Sequence, residues 1–214
     1  NDFEISVVSI EENSTGSPTQ PPYVVPPGHV RDVNNSQTVQ QQYNEQSLQL
    51  CVENLDNGDA RAAFKNQTID LINYDRLEMA LHAHSYKDGF IQDGDVNAFL
   101  RLGQDNRSNY YEIQLPLVLT PQGLSPNSGG LPRLVWPEEN EINLSIDIIK
   151  AVKLERNRLG IDIGIPYSKL IPGTNYIVTV VGNPELNDLQ TIMIGVRNPD
   201  NGASDDGLAK SVCI

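Results

Sequence analysis

Only three histidines, two cysteines and one tryptophan occur in this chain of 214 residues, and each scarcity closes off a class of chemistry. His29, His82 and His84 stand without a Gly-x-Ser-x-Gly turn, so no nucleophile elbow for hydrolysis can be built. Cys51 and Cys213 lie far apart, with no ligand set beside either, and do not make a zinc site. No apolar run approaches the roughly 20 residues of a membrane helix. Asn1-Asp2-Phe3-Glu4 has neither the basic start nor the apolar segment of a signal peptide. With no initiator Met and a stop inside the strand-like Ser211-Val212-Cys213-Ile214, the sequence reads as a piece of a longer protein. Asn127-Ser128-Gly129-Gly130 lacks the Lys-Ser/Thr and the helix of a phosphate loop, and reads as a surface loop. Positive charge is scarce as well. Fifteen Lys and Arg against 28 Asp and Glu give a net charge of −13, which argues against nucleic acid and against an anionic membrane surface as partners.

What is abundant is alternation. Leu48, Leu50 and Val52 alternate with Gln49, Cys51 and Glu53, the period of a half-buried strand. Asn57-Gly58 then predicts a hairpin returning over residues 59–65. Leu77, Met79, Leu81 and Ala83 point one way, and Glu78, Ala80, His82 and His84 the other. Further alternation runs through residues 96–102, 111–115, 142–146, 176–181, 191–196 and 211–214. Residues 147–157 carry apolar positions at helical spacing, stopped by Gly160 and Pro166. Many short strands with one helix predict an all-β fold, an antiparallel β-sandwich over residues 47–214. The strand order suggests a jelly roll of the galactose-binding-like type. Residues 1–46, rich in Pro, Gln and Ser, predict an extended arm that adds little to stability, with residues 5–10 as its one strand-like run.

Candidate chemistry is thin. His82 and His84, two apart on one strand face, could reach a single ion, but nothing nominates further ligands, and two solvent-facing histidines are the favoured reading. Asp56-Asn57-Gly58-Asp59 and Asp88-Gly89 with Asp93-Gly94-Asp95 could supply a structural calcium, though these residues also dominate ordinary turns. No other cofactor is expected. Glu138, Glu139 and Glu141 resemble a carboxylate pair only in composition, because adjacent acids on a loop diverge. Tyr110, Tyr111 and Trp136 could stack on a sugar, but the two tyrosines face opposite ways and Trp136 before a proline suits a core plug. Cys51 reads as a small buried hydrophobe, with a disulfide to Cys213 left open.

The run Val135-Trp136-Pro137-Glu138-Glu139-Asn140-Glu141-Ile142-Asn143-Leu144 carries the most information. It resembles a segment of the SprA/Sov family, the very large outer-membrane translocons of the Bacteroidetes type IX secretion and gliding machinery. Asn44-Glu45-Gln46-Ser47-Leu48, Asn57-Gly58-Asp59-Ala60-Arg61 and Asn109-Tyr110-Tyr111-Glu112-Ile113 fit the same family in the expected order. The resemblance implies a non-catalytic module of an outer-membrane translocon, itself not inserted in the membrane and lying on the periplasmic or extracellular face. It would shape the pore mouth and contact partner subunits or cargo. Trp136, Pro137, Glu138, Glu139 and Asn140 are then structural residues. The rival expectation is a carbohydrate-binding module, which should expose coplanar aromatics rather than bury Trp136.

Overall fold

A computed structural model describes residues 2–34, 41–87, 91–200, 202 and 207–214. Along the chain run β1 (Phe3–Ser9), α1 (Ile10–Asn13), β2 (Val33–Asn34), β3 (Gln41–Gln42), β4 (Gln46–Leu55), β5 (Ala60–Ile69), β6 (Arg76–Met79) and β7 (His84–Ser85). There follow β8 (Asn97–Gly103), β9 (Tyr110–Pro116), α2 (Leu131–Val135), β10 (Ile142–Ser145), α3 (Ile146–Arg158), β11 (Tyr167–Leu170), β12 (Ile177–Val181), β13 (Leu189–Arg197) and β14 (Lys210–Cys213).

The strands make an antiparallel β-sandwich. Its larger layer is a six-stranded sheet in the order β11-β12-β9-β8-β13-β5. The facing layer is assembled from a four-stranded sheet β1-β4-β14-β7, the β10-β6 pair and helix α3. Register explains the core. Ala63, Ile194, Leu100, Ile113 and Val178 lie in one cross-strand row on the inner face of the large sheet. Leu50, Val52, Leu81, Leu100, Ile113, Ile142 and Val196 are buried in one cluster, with Leu77 and Ile194 packed against it. All nine were expected there from their period-2 spacing.

Helix α3 forms where the spacing predicts. Ser145 caps it by accepting from the Asp147 N–H, and Gly160 at φ +68° ends it. Ile146, Ile149, Val152 and Arg156 form its buried face. Arg156 is fully buried, and its guanidinium holds the Gly182 carbonyl and the Asn157 side chain.

On the outer face of the large sheet, Glu112 is buried between Arg101 and Arg197. Phe99 lies directly across from Gly195, where an added Cβ would sit 2.6 Å from the ring. A bare glycine there lets the aromatic ring cover the backbone.

Two expectations need correcting. Asn57-Gly58 turns the chain, but not into a hairpin: β4 belongs to the small sheet and β5 pairs with β13 in the large one. The turn is instead tied to the far end of β13 by bonds between Gly58 N–H and Asn198 C=O and between Asn198 N–H and Asp59 C=O. The strand-like run expected within residues 5–10 of the N-terminal arm is added to a sheet edge. β1 pairs with β4 over its full length, Phe3 opposite Val52 through Ser9 opposite Gln46. A short helix, α2, does follow Gly130, although the Lys-Ser/Thr of a phosphate loop is still missing.

Candidate functional site

Chemistry-bearing side chains gather on the outer face of the small sheet. After α1 the chain makes a tight turn at Gly16, where φ is +65° and an added Cβ would lie 2.7 Å from the Pro22 nitrogen, so no side chain fits. Pro22 and Tyr23 are thereby buried over the sheet. Tyr23 N–H bonds the Asn13 carbonyl, and its hydroxyl meets the Ser47 hydroxyl at 2.8 Å. Trp136 packs edge-on against Tyr23 at 6.1 Å between ring centroids and donates its indole N–H to the Val24 carbonyl at 2.7 Å. Tyr23, Leu131, Val135 and Trp136 form a second apolar cluster, separate from the sandwich core, with Val8 and Val24 at its margin.

The histidines belong to this cluster, which corrects the solvent-facing expectation. His84 is buried and His82 half-buried. His82 Nδ1 lies 2.8 Å from the Val135 carbonyl, and His82 Nε2 lies 2.8 Å from His84 Nδ1. A carbonyl only accepts, so His82 carries its proton on Nδ1 and accepts at Nε2 from His84. Thr120 Oγ1 closes the network at 2.9 Å from His82 Nδ1.

Removal from water holds His82 down to about 4, with the Val135 carbonyl pulling slightly upward. His84 falls to about 3 by the same cause, reinforced by repulsion from His82. Both imidazoles are therefore neutral in the folded chain at physiological pH. Between an unfolded value near 6.5 and these folded values, the unfolded chain binds more protons. The pair's contribution to stability is thus complete above about pH 6.5 and is lost as pH falls toward 4. Unfolding midpoints measured from pH 8 to pH 4 should show this loss, and a variant with His82 and His84 both changed to Gln should flatten it. An unchanged slope in that variant would contradict the buried-pair geometry.

Beside the histidines, Cys51 and Cys213 form a disulfide. This resolves the pairing left open above. Leu50 and Ile214 exchange both backbone bonds, so their neighbours Cys51 and Cys213 form the close, non-hydrogen-bonded pair of the ladder, with Cα atoms 4.0 Å apart. Glu4, Cys51, Cys213 and His84 fall in one cross-strand row. A cavity of about 230 Å³ lies under the arm between Val8, Tyr23, Ser47, Leu50, His82 and Trp136.

A family model for motility-related and secretion proteins, SprA_N, matches residues 1–214. The chain belongs to the SprA_N family. No curated protein matches it. Membership carries a role in secretion or motility, and so an association with the cell envelope. No helix among the described residues is long and apolar enough to cross a membrane.

Within this SprA_N chain the five residues singled out by the resemblance have distinct places. Trp136 is 5% exposed. Pro137, half-buried with φ −65°, precedes a single 3-10 turn, Glu138–Asn140. Glu138 and Glu139 are exposed; the Glu138 carbonyl accepts from the Glu141 N–H and the Glu139 carbonyl from the Asn175 side chain. Glu141 pairs with Arg133, so the three acids do not converge. Asn140 is fully buried and acts as an extra piece of strand: its Oδ1 accepts from Val118 N–H and its Nδ2 donates to Val118 C=O, both at 2.8 Å. Asn140→Ala leaves both Val118 groups unpaired and should cost roughly 2–4 kcal/mol in urea unfolding. Asn140→Asp can accept but not donate and should be destabilised too. A neutral Ala variant would remove the bridging role.

The turns weighed for calcium use their carboxylates locally. Asp93 accepts from Leu119 N–H, and Asp95 accepts from Gln92 N–H and pairs with Lys210. Asp59 faces Arg61. Asp88 and Gly89 lie outside the described residues. Among the described residues no group of three His, Cys, Asp or Glu side chains converges as a metal site would need. Tyr111 is buried and donates to the Pro184 carbonyl, while Tyr110 is covered by the Arg101 guanidinium at 3.9 Å.

Proposed function

We propose that this chain is a non-catalytic module of an outer-membrane protein-secretion translocon, shaping the mouth of the pore and contacting partner subunits or secreted cargo. The family match over the whole length carries this reading. The commitments of the reactive side chains support it. The His82–His84 pair is committed to itself, to the Val135 carbonyl and to the buried Thr120 hydroxyl, which itself donates to that carbonyl. The aromatics favour it over a sugar-binding module. Trp136 and Tyr111 are buried, and Tyr110 lies beneath Arg101, so these three make no coplanar platform.

The test is a secretion assay in cells that depend on the family member containing this chain. Disrupting the module by Trp136→Ala, with the protein still present in the envelope, should reduce export of cargo. Photo-crosslinkers on its exposed strands should capture other secretion subunits or cargo in transit. Unimpaired export, or specific glycan binding abolished by Trp136→Ala without a change in unfolding, would overturn the proposal.

A further inference from the structure

A sandwich of open sheets has edge strands, and a free edge is a row of unpaired donors and acceptors that proteins normally blunt. Three edges here are blunted. β7 is only two residues long. β11 carries Lys169 among its four residues. β5 turns Arg61 and Lys65 toward the inner face, opposite Val196 and Ile192. β1 carries none of these devices: its seven residues, Phe-Glu-Ile-Ser-Val-Val-Ser, include no Lys, Arg or Pro.

The ladder fixes which backbone groups of β1 are free. Glu53 N–H bonds Asp2 C=O at one end, and Ile10 N–H bonds Glu45 C=O at the other. Bonding alternates along an antiparallel strand, so Glu4, Ser6 and Val8 are tied to β4. The N–H and C=O groups of Phe3, Ile5 and Val7 then point away from the sheet along its open edge. Beyond them the edge closes, because Ser9 N–H is taken by the Asn13 side chain. On the same stretch the inner-face side chains Ile5, Val7 and Leu48 are 54%, 57% and 47% exposed. Unpaired backbone and uncovered apolar side chains coincide over one strand length.

Charge selects what fits. Asp2 and Glu4 lie on or beside β1, Glu11 and Glu12 follow in α1, and no Lys or Arg occurs before Arg31. Lys87, which lines the same surface pocket as Glu4, is already paired with Glu53. We infer that the open edge of β1 receives an extended segment of a partner protein, apolar at alternate positions and basic at those between. The partner strand would add to the small sheet through Phe3, Ile5 and Val7, place its apolar side chains beside Ile5, Val7 and Leu48, and set its Lys or Arg side chains near Asp2 and Glu4. A net charge of −13 opposes a second copy of this chain in the same place. The inference rests on the contact-module reading and names the surface and the kind of partner.

The probe is a short peptide alternating valine with lysine, titrated into the 214-residue chain with amide exchange followed residue by residue. Binding should slow exchange at Phe3, Ile5 and Val7. It should weaken at least about tenfold when glutamate replaces lysine, and again at raised salt. Ile5→Pro removes a free-edge donor without touching the β4 bonds, and should abolish binding while the unfolding midpoint stays close to that of the parent. Ile5→Lys, which imitates the blunting of the other edges, should do the same if the proline variant folds poorly. No binding, binding without protection at those amides, or equal binding to the Ile5→Lys chain would overturn the inference. So would a concentration-dependent dimer that Ile5→Lys dissolves, since the occupant would then be a second copy. These readouts do not depend on export, so the inference and the secretion role can fail separately.

Discussion

Trp136→Ala should destabilise the chain by roughly 3–5 kcal/mol, the usual range for truncating a large buried aromatic, and should release the arm at the same time. The indole stands between the sandwich and residues that cover it: Tyr23 edge-on at 6.1 Å, His82 at 5.9 Å and the Val24 carbonyl on its N–H. Removing it leaves Tyr23 and Val135 without their common neighbour and the Val24 carbonyl without its donor. Circular dichroism during urea unfolding measures the first effect. Limited proteolysis between Ser14 and Arg31 measures the second, with cleavage in the variant preceding global unfolding. If the variant lost its stability with no change in arm cleavage, the indole would be acting on the sandwich alone. The same coupling changes what truncation should do. Deleting the first 42 residues removes β1 from β4 and uncovers the Trp136 cluster, so the remainder should lose stability rather than fold unaffected.

Breaking the Cys51–Cys213 disulfide should have an effect of similar size. The bridge spans 162 residues, and the chain-entropy relation gives about 5 kcal/mol for a loop of that length. Measured losses commonly fall below that ceiling, so a reduction of about 2–5 kcal/mol is expected. Parallel urea titrations with and without reductant test this, with a Cys51→Ser and Cys213→Ser double variant as the control that reductant should not affect. A loss under about 1 kcal/mol would mean that the β4–β14 ladder holds its register without the covalent link.

The parts legible in the sequence were those that depend on a local period. The alternation at Leu50, Leu100 and Ile113 gave the inner face, and Ser145 with Gly160 bracketed the helix, because each signal is completed within a few residues. What escaped depended on distant partners. A turn dipeptide such as Asn57-Gly58 reverses the chain but does not say which sheet receives the next strand. His82 and His84 alternate with core residues and so read as solvent-facing, yet a second cluster around Trp136 covers that face and buries the sheet on both sides. The arm is polar and proline-rich, but Tyr23 and the β1 run are enough to dock it. The resemblance marked Asn140 as structural, but not its role, since a lone Asn in an acidic loop is ordinary until Val118 is seen across from it.

Because the disulfide joins β4 near one end of the chain to β14 at the other, it also decides how the molecule would carry a pull. Tension applied at residues 1 and 214 passes from Cys51 to Cys213 through the covalent bridge and bypasses the sandwich between them. Only the segment ahead of Cys51 can lengthen, by at most about 175 Å, against about 750 Å for a fully extended chain without the bridge. β1, which runs antiparallel to β4, would unzip first, and the large sheet would bear no load while the sulfurs stay joined.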